Sequence, residues 1–202
     1  MIGIVDYGLG NVGAFLTCLS NLNIKAEKAN DPDSLSKFSH LILPGVGSFD
    51  GAIRKLKDAN LNDAIIDYVR KGNFLLGVCV GMQILANSSE EGELSGLKLI
   101  PGRVMHLRSI NLDKKLLAPH MGWNAVNLNQ KTKLFKQIVS PQFYFLHSYF
   151  YECEDSKNSI GTVNYHKNFT CIINKDNIYG VQFHPEKSHH WGAELLNNFA
   201  SL

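Results

Sequence analysis

Phe74-Leu75-Leu76-Gly77-Val78-Cys79-Val80-Gly81 is the stretch whose reading decides the fold. Phe74–Val78 lacks the polar alternation of a half-exposed strand, so it reads as a strand buried on both faces. The run leads directly into Cys79, which has a glycine two residues away on either side, and a helix beginning over Met82–Asn87 follows. A nucleophile on such a strand-to-helix turn stands clear of the sheet, and the flanking glycines permit a strained backbone and close approach. The helix N-terminus aims amide groups and positive dipole at the sulfur, which favours a thiolate and offers the Val80 N–H to an oxyanion. A lone cysteine at a strand end is otherwise a small buried hydrophobe.

Outward from this elbow the pattern is regular. Ile2–Asp6 reads as a strand and Asn11 to about Leu22 as an amphipathic helix. Leu41–Leu43 reads as a second buried strand, Ser48 to Leu56 and Leu61 to Lys71 as helices, and Phe74–Val78 as the third strand. Buried strands separated by helices predict a parallel sheet covered on both faces. From about residue 98 the segments Arg103–Leu107, Ala125–Leu128, Phe143–Leu146, Ile160–Asn164, Thr170–Asn174 and Ile178–Phe183 follow with short breaks. They predict mixed or antiparallel strands added to that sheet, closed by a helix from Gly192 to about Ala200. The expectation is one α/β domain over residues 1–202, with reactive groups at the carboxyl ends of the strands.

Bulk composition narrows the function classes. Hydrophobic residues make up 45% and charged residues 19%, enough for a large core. Twenty basic and eighteen acidic residues leave +2, with no Lys/Arg cluster dense enough for nucleic acid. No apolar run approaches membrane-spanning length, and Met1–Asp6 begins without a signal peptide. The four cysteines have no C-x-x-C spacing, which speaks against structural zinc. His184, His189 and His190 lack accompanying thiols or spaced carboxylates, so no metal and no cofactor is expected. A reduced, cytoplasmic protein is the simplest reading.

A thiol nucleophile needs a base, and the base an orienting group. Gln182-Phe183-His184-Pro185-Glu186-Lys187 offers both after the last strand-like run. The i, i+2 spacing lets His184 face the cysteine while Glu186 takes its other ring N–H. Leu43-Pro44-Gly45-Val46-Gly47 follows the second buried strand, and a glycine-rich turn there can aim backbone amides at the elbow. Each element has a bland alternative: a surface H-P-E turn, a strand-terminating glycine turn. Three at three strand ends are harder to dismiss.

These residues resemble the class I (triad) glutamine amidotransferases, and more closely the glutaminase subunits of imidazole glycerol phosphate synthase of histidine biosynthesis. The resemblance is carried by Asp6-Tyr7-Gly8-Leu9-Gly10-Asn11, Leu43–Gly47, Gly77–Gln83, Ser89–Gly92, Pro119-His120-Met121-Gly122-Trp123-Asn124, His147-Ser148-Tyr149 and Gln182–Ser188. It implies a flavodoxin-like, doubly wound, mainly parallel sheet with added antiparallel strands. It also implies a Cys79–His184–Glu186 triad and an oxyanion hole at Gly45, Val46 and Val80. Glutamine would be held by Gln83, Glu91 and the segment His147, Ser148, Tyr149. The implied partner is a (β/α)8-barrel cyclase subunit, forming a heterodimer and met by Asn11, Trp123 and Lys187. Ammonia would reach that cyclase and act on a phosphoribulosyl aminoimidazole carboxamide nucleotide, giving imidazole glycerol phosphate and an aminoimidazole carboxamide ribotide. The departures from the family pattern, such as Val78 and Val80 in the elbow and His189-His190-Trp191 after Ser188, leave the triad untouched.

Other readings remain open at this stage. Related amidotransferase pairs serve amidination of cell-surface sugars, which leaves the acceptor undecided. Gly8-Leu9-Gly10-Asn11-Val12-Gly13 fits G-x-G-x-x-G, with Glu27 near the place of a ribose ligand, so a dinucleotide-binding protein is a rival. That rival leaves the elbow and H-P-E unexplained. A free-standing γ-glutamyl hydrolase would keep the triad but have no evident use for the Pro119–Asn124 loop.

Overall fold

The computed structural model describes residues 1–110 and 118–202. In chain order the first half comprises β1 (Ile2–Val5), α1 (Val12–Asn21), β2 (Ala26–Ala29), β3 (His40–Gly45), α2 (Phe49–Asp58), α3 (Leu61–Arg70), β4 (Phe74–Cys79) and the single turn α4 (Val80–Gln83). The second half contains β5 (Ser88–Ser89), β6 (Gly102–His106), β7 (His120–Leu128), β8 (Gln142–His147), β9 (Tyr149–Cys153), β10 (Ser159–Tyr165), β11 (Lys167–Lys175), β12 (Ile178–Val181) and α5 (His189–Ala200).

The strands join in the order β2-β1-β3-β4-β12-β11-β10-β7-β8, with β5, β6 and β9 attached beside them. From β2 to β12 every pairing is parallel; from β12 onward along this path every pairing is antiparallel. The α/β sheet expected from the sequence is thus present, parallel at its heart and antiparallel in its extension. All residues of β1, β3 and β12 are buried, as helices on both faces require. Among the described residues, no helix is long and apolar enough to cross a membrane.

Local features differ from the sequence expectation, among them β5 and β9, two strands that the sequence reading does not place. Ala26–Ala29 forms an additional strand, so Leu41–Leu43 lies in the third strand of the chain. Its Glu27 and Lys28 are exposed at the sheet edge, which hides the hydrophobic signal of a strand. The helix expected over Met82–Asn87 is instead α4, which starts at Val80 and ends at Gln83. The carbonyls that would continue it are taken from outside. Those of Ile84, Leu85 and Ala86 accept from the amides of Leu97, Leu99 and Lys98 at 2.8, 2.9 and 3.1 Å. The amides of Leu85 and Ala86 bond only three residues back and that of Asn87 bonds to the Gly102 carbonyl at 2.9 Å, so the four-residue ladder of an α-helix is lost there.

Candidate active site

Three neighbouring parallel strands bring the sequence elements together. β3, β4 and β12 lie side by side, with Gly45 opposite Cys79 and Val78 opposite Val181. Their carboxyl ends therefore open at one rim, as expected for an open α/β sheet.

Cys79 has φ 55° and ψ −114°, a backbone strained for any residue with a Cβ. The turn is held by tight packing. A Cβ on Gly45 would overlap the Gly81 amide nitrogen, and one on Gly81 would overlap the Leu43 carbonyl. Glycine at both places lets the end of β3 press against the start of α4. Tyr7, buried and held protonated by its surroundings, donates from its hydroxyl to the Pro44 carbonyl at 2.8 Å and pins the same turn from the β1 side. Gly10 approaches it too, since a Cβ there would meet Pro44 Cβ at 2.7 Å. The middle glycine of the G-x-G-x-x-G pattern thus serves chain packing against Pro44, and Glu27 pairs with Lys25 at 3.9 Å.

His184 and Glu186 meet across a short 3-10 turn, Pro185–Lys187, rather than along an extended strand, because β12 ends at Val181. The outcome for the side chains matches the i, i+2 expectation: His184 Nδ1 lies 2.8 Å from Glu186 Oε1. Both side chains are nearly inaccessible, at 6% and 3% exposure. The backbone is clamped by β8, with the His184 amide donating to the Tyr144 carbonyl at 2.9 Å. The Ser188 hydroxyl donates to the His184 carbonyl at 2.6 Å and accepts from the Tyr144 amide at 3.0 Å. Burial alone lowers the His184 pKa. Hydrogen bonds to Cys79 and Glu186, with their negative charges, outweigh that and hold it up near 10. This is the electrostatic pattern of an imidazolium lying between a sulfur and a carboxylate. Such a histidine can take a thiol proton and later deliver one to a leaving nitrogen.

A cavity of about 320 Å³ opens beside Cys79. It is lined by Val46, Gly47, Val80 and His184, by Gln83, Glu91 and Leu146–Tyr149, and by Lys187. Glu91 is anchored at the N-terminus of α2, where its Oε2 accepts from the Phe49 amide at 2.7 Å. Asp50 ties the adjoining loop to the same helix by accepting from the Glu93 and Leu94 amides at 3.3 and 3.1 Å. His147 is buried, and its Nδ1 faces the Tyr149 carbonyl at 2.8 Å while its Nε2 faces His120 Nδ1 at 2.9 Å. Since the carbonyl must accept, His147 carries its proton on Nδ1, and His120 donates to it. Burial lowers the pKa of His120 to about 4. Burial and the His120 charge lower that of His147 to about 3, so the pair is neutral.

Of the residues expected to meet a partner, Trp123 and Lys187 share one surface. Trp123 is 43% exposed, stacks on His189 at 5.1 Å and approaches Tyr144 at 6.3 Å, while Lys187 Nζ lies 5.9 Å over the Tyr144 ring. The Asn11 side chain caps α1 by accepting from the Ala14 amide at 3.0 Å, beside a narrow cleft that reaches His184 and Glu186. Sequence reasoning did not assign roles to Tyr7, Gln182, His120 or Ser188. Tyr7, Gln182 and His120 stand inside quoted motifs and Ser188 at the end of one, but only their contacts reveal what they do.

The family model for glutamine amidotransferase class-I matches residues 4–201. A protein of Leptospira borgpetersenii named imidazole glycerol phosphate synthase subunit HisH is 50% identical, with both chains covered in full. The subunit of that name from Leptospira interrogans is 48% identical over the full length of both, and one from Methanococcus maripaludis 47% identical over 98% of each. A solved glutamine amidotransferase superposes with a TM-score of 0.77 at 16% identity, covering 100% of this chain and 99% of that one. PurLQS from Thermotoga maritima does so at 0.76 and 18%, covering 99% and 97%; at these identities the two speak for the fold alone. The chain therefore belongs to the glutamine amidotransferase class-I family, among the HisH subunits of imidazole glycerol phosphate synthase.

Proposed function

We propose that this chain supplies ammonia to imidazole glycerol phosphate synthase, cleaving the side-chain amide of glutamine at Cys79 and passing the nitrogen to a (β/α)8-barrel cyclase subunit. The observation that carries this reading is the meeting of Cys79, His184 and Glu186 at a cavity that Gln83, Glu91 and His147–Tyr149 also line.

In this scheme the Cys79 sulfur adds to the glutamine carbonyl carbon, and negative charge develops on the carbonyl oxygen. Backbone amides of Val46 and Val80, beside the close approach at Gly45, receive that charge. His184 delivers its proton to the nitrogen, the carbon–nitrogen bond breaks, and ammonia leaves a γ-glutamyl thioester. Water then gives a proton to His184 and adds to the thioester, releasing glutamate and the thiolate. Glu186 holds the imidazole in the required tautomer and supports its positive form. Gln83, Glu91 and the backbone of His147–Tyr149 hold the glutamine.

Hydrolysis without a waiting acceptor wastes substrate, so the isolated chain is expected to be slow and the partner to activate it. The Pro44–Gly47 turn is suited to such control. Val46 is exposed, Gly47 has φ +88°, and a Cβ on Gly47 would meet nothing within 4 Å, so this peptide has room to turn. The test is glutamate release from glutamine by the chain alone and with a barrel cyclase and its nucleotide ligand. Stimulation lost in Cys79→Ala supports the scheme. Cys79-dependent hydrolysis indifferent to that cyclase would move the acceptor to another pathway, and no hydrolysis at all would sink the glutaminase reading.

A further inference from the structure

Gln182 has no part in the triad scheme, yet its side chain touches the sulfur. It follows β12 directly and is wholly buried, at 0% exposure. Its Nε2 lies 3.7 Å from Cys79 Sγ, and its Oε1 accepts from Gln83 Nε2 at 3.2 Å. Gln83 Nε2 also donates to the Tyr149 carbonyl at 3.1 Å.

The two ends of an amide have nearly the same outline, and their bonding decides which is which. Here a backbone group makes the decision. The Tyr149 carbonyl can only accept, so Gln83 must present its NH2 group to it. That same NH2 faces Gln182, whose near end must then be the oxygen. The end left to face Cys79 is the NH2. Reversing either amide would set donor against donor or acceptor against acceptor in a buried place, where such a mismatch is costly.

The direction of this chain matters because a thiol and a thiolate need different neighbours. The neutral S–H finds an acceptor in the Leu146 carbonyl at 3.9 Å. An N–H donor serves the lone pairs of sulfur, and serves them best when the sulfur is charged. We propose that Gln182 is a fixed hydrogen-bond donor to the Cys79 thiolate, its polarity dictated by the Tyr149 carbonyl through Gln83. The inference rests on the reading of Cys79 as nucleophile. Gln182 does not line the glutamine cavity, whereas Gln83 does. Gln182 therefore acts on the reactivity of the sulfur, and Gln83 joins substrate holding to nucleophile orientation.

The test uses Gln182→Met, which keeps the length of the side chain and removes the donor. Iodoacetamide alkylation of Cys79 is followed across pH by mass spectrometry of the peptide that carries it, which separates it from the other three cysteines. The pH of half-maximal alkylation should rise by about one unit, the scale of one hydrogen bond to a charged group. In the complex with the cyclase, kcat for glutamine should fall roughly tenfold with KM changed less than about twofold. Gln83→Met should move the alkylation profile the same way by less, because it removes only the group that orients Gln182. An unmoved profile in folded Gln182→Met overturns the proposal, even with a lower melting temperature, since a merely structural amide would affect stability alone. If Gln182→Met fails to fold, Gln83→Met decides, and an unmoved profile there overturns it. A shifted profile in a chain whose wild-type complex never hydrolyses glutamine would keep the donor and reject the glutaminase scheme.

Discussion

The parallel part of the sheet, β2 to β12, and the antiparallel part beyond it contribute different things to the same cavity. The parallel strands end at one rim and present the elbow, the Gly45 turn and the segment leading to His184. Close backbone approach at Gly45 and Gly81 sets the positions of the elbow and the turn beside it. The antiparallel strands present a wall, Leu146–Tyr149, backed by the neutral His120–His147 pair and continuous through β7 with the exposed Trp123. The proposed triad thus sits on the parallel half, together with Gln83 on α4 and Lys187 after β12, while the antiparallel half adds His147–Tyr149 and Trp123. Tyr149 links the two halves: its carbonyl accepts from Gln83 on α4 and from His147 on β8.

If this division is right, substitutions in the two halves should fail in different ways. The largest effect is expected from Cys79→Ala, which should lower glutamine hydrolysis at least a thousandfold, by about the scale of removing a nucleophile. Synthesis from added ammonia by the complex should survive it; loss of both would point to a folding or docking role. Glu186→Gln should be milder, with kcat down about tenfold to a hundredfold. It removes a charge that raises the His184 pKa, so the imidazole should release its proton below the present value near 10 in a histidine NMR titration. An unmoved titration would break the assigned orienting role.

On the antiparallel side, Trp123→Ala should leave the basal hydrolysis of the isolated chain unchanged and reduce activation by the cyclase about tenfold. Full activation would remove that face from the partner surface. A separate effect, on the fold rather than on activity, is one of acid stability. His120 and His147 have folded pKa values lowered to about 4 and about 3, against about 6.5 in an unfolded chain. Between those limits the unfolded state binds more protons, so their contribution is present above about pH 6.5 and lost as pH falls towards 3–4. Each contributes a slope of at most about 1.4 kcal/mol per pH unit in that window. His120→Phe should flatten the dependence measured by urea unfolding between pH 4 and 6.5, and an unchanged slope would show that the pair is not buried and neutral in solution.

Much of this was legible in the chain itself. The apolar runs at Ile2–Asp6, Leu41–Leu43 and Phe74–Val78 announce buried parallel strands, because two covered faces tolerate no polar alternation. The edge strand Ala26–Ala29 escaped notice because one side of it faces water, and α4 proved shorter than its apolar run suggested. That shortening could not be read locally, since the Asn87 amide finds its acceptor at Gly102 and the carbonyls of residues 84–86 find their donors at residues 97–99. Cys79, His184 and Glu186 were candidates from their motifs, and the structure brings them to one rim. Gln182 lay within a quoted motif without a role, because its role depends on residues 83 and 149.

What the sequence determined by itself was the class of sheet, the elbow and the short-range pairing of His184 with Glu186, all of which arise from periodicity, glycine placement and spacing of a few residues. Only the tertiary structure decided that β12 lies next to β4, which carries His184 across 105 residues to Cys79. It also decided the sense of every buried hydrogen bond around the sulfur. The reason is physical: strand order and the satisfaction of buried polar groups are properties of the whole packed chain, and no local pattern of side chains encodes which distant carbonyl an amide will meet.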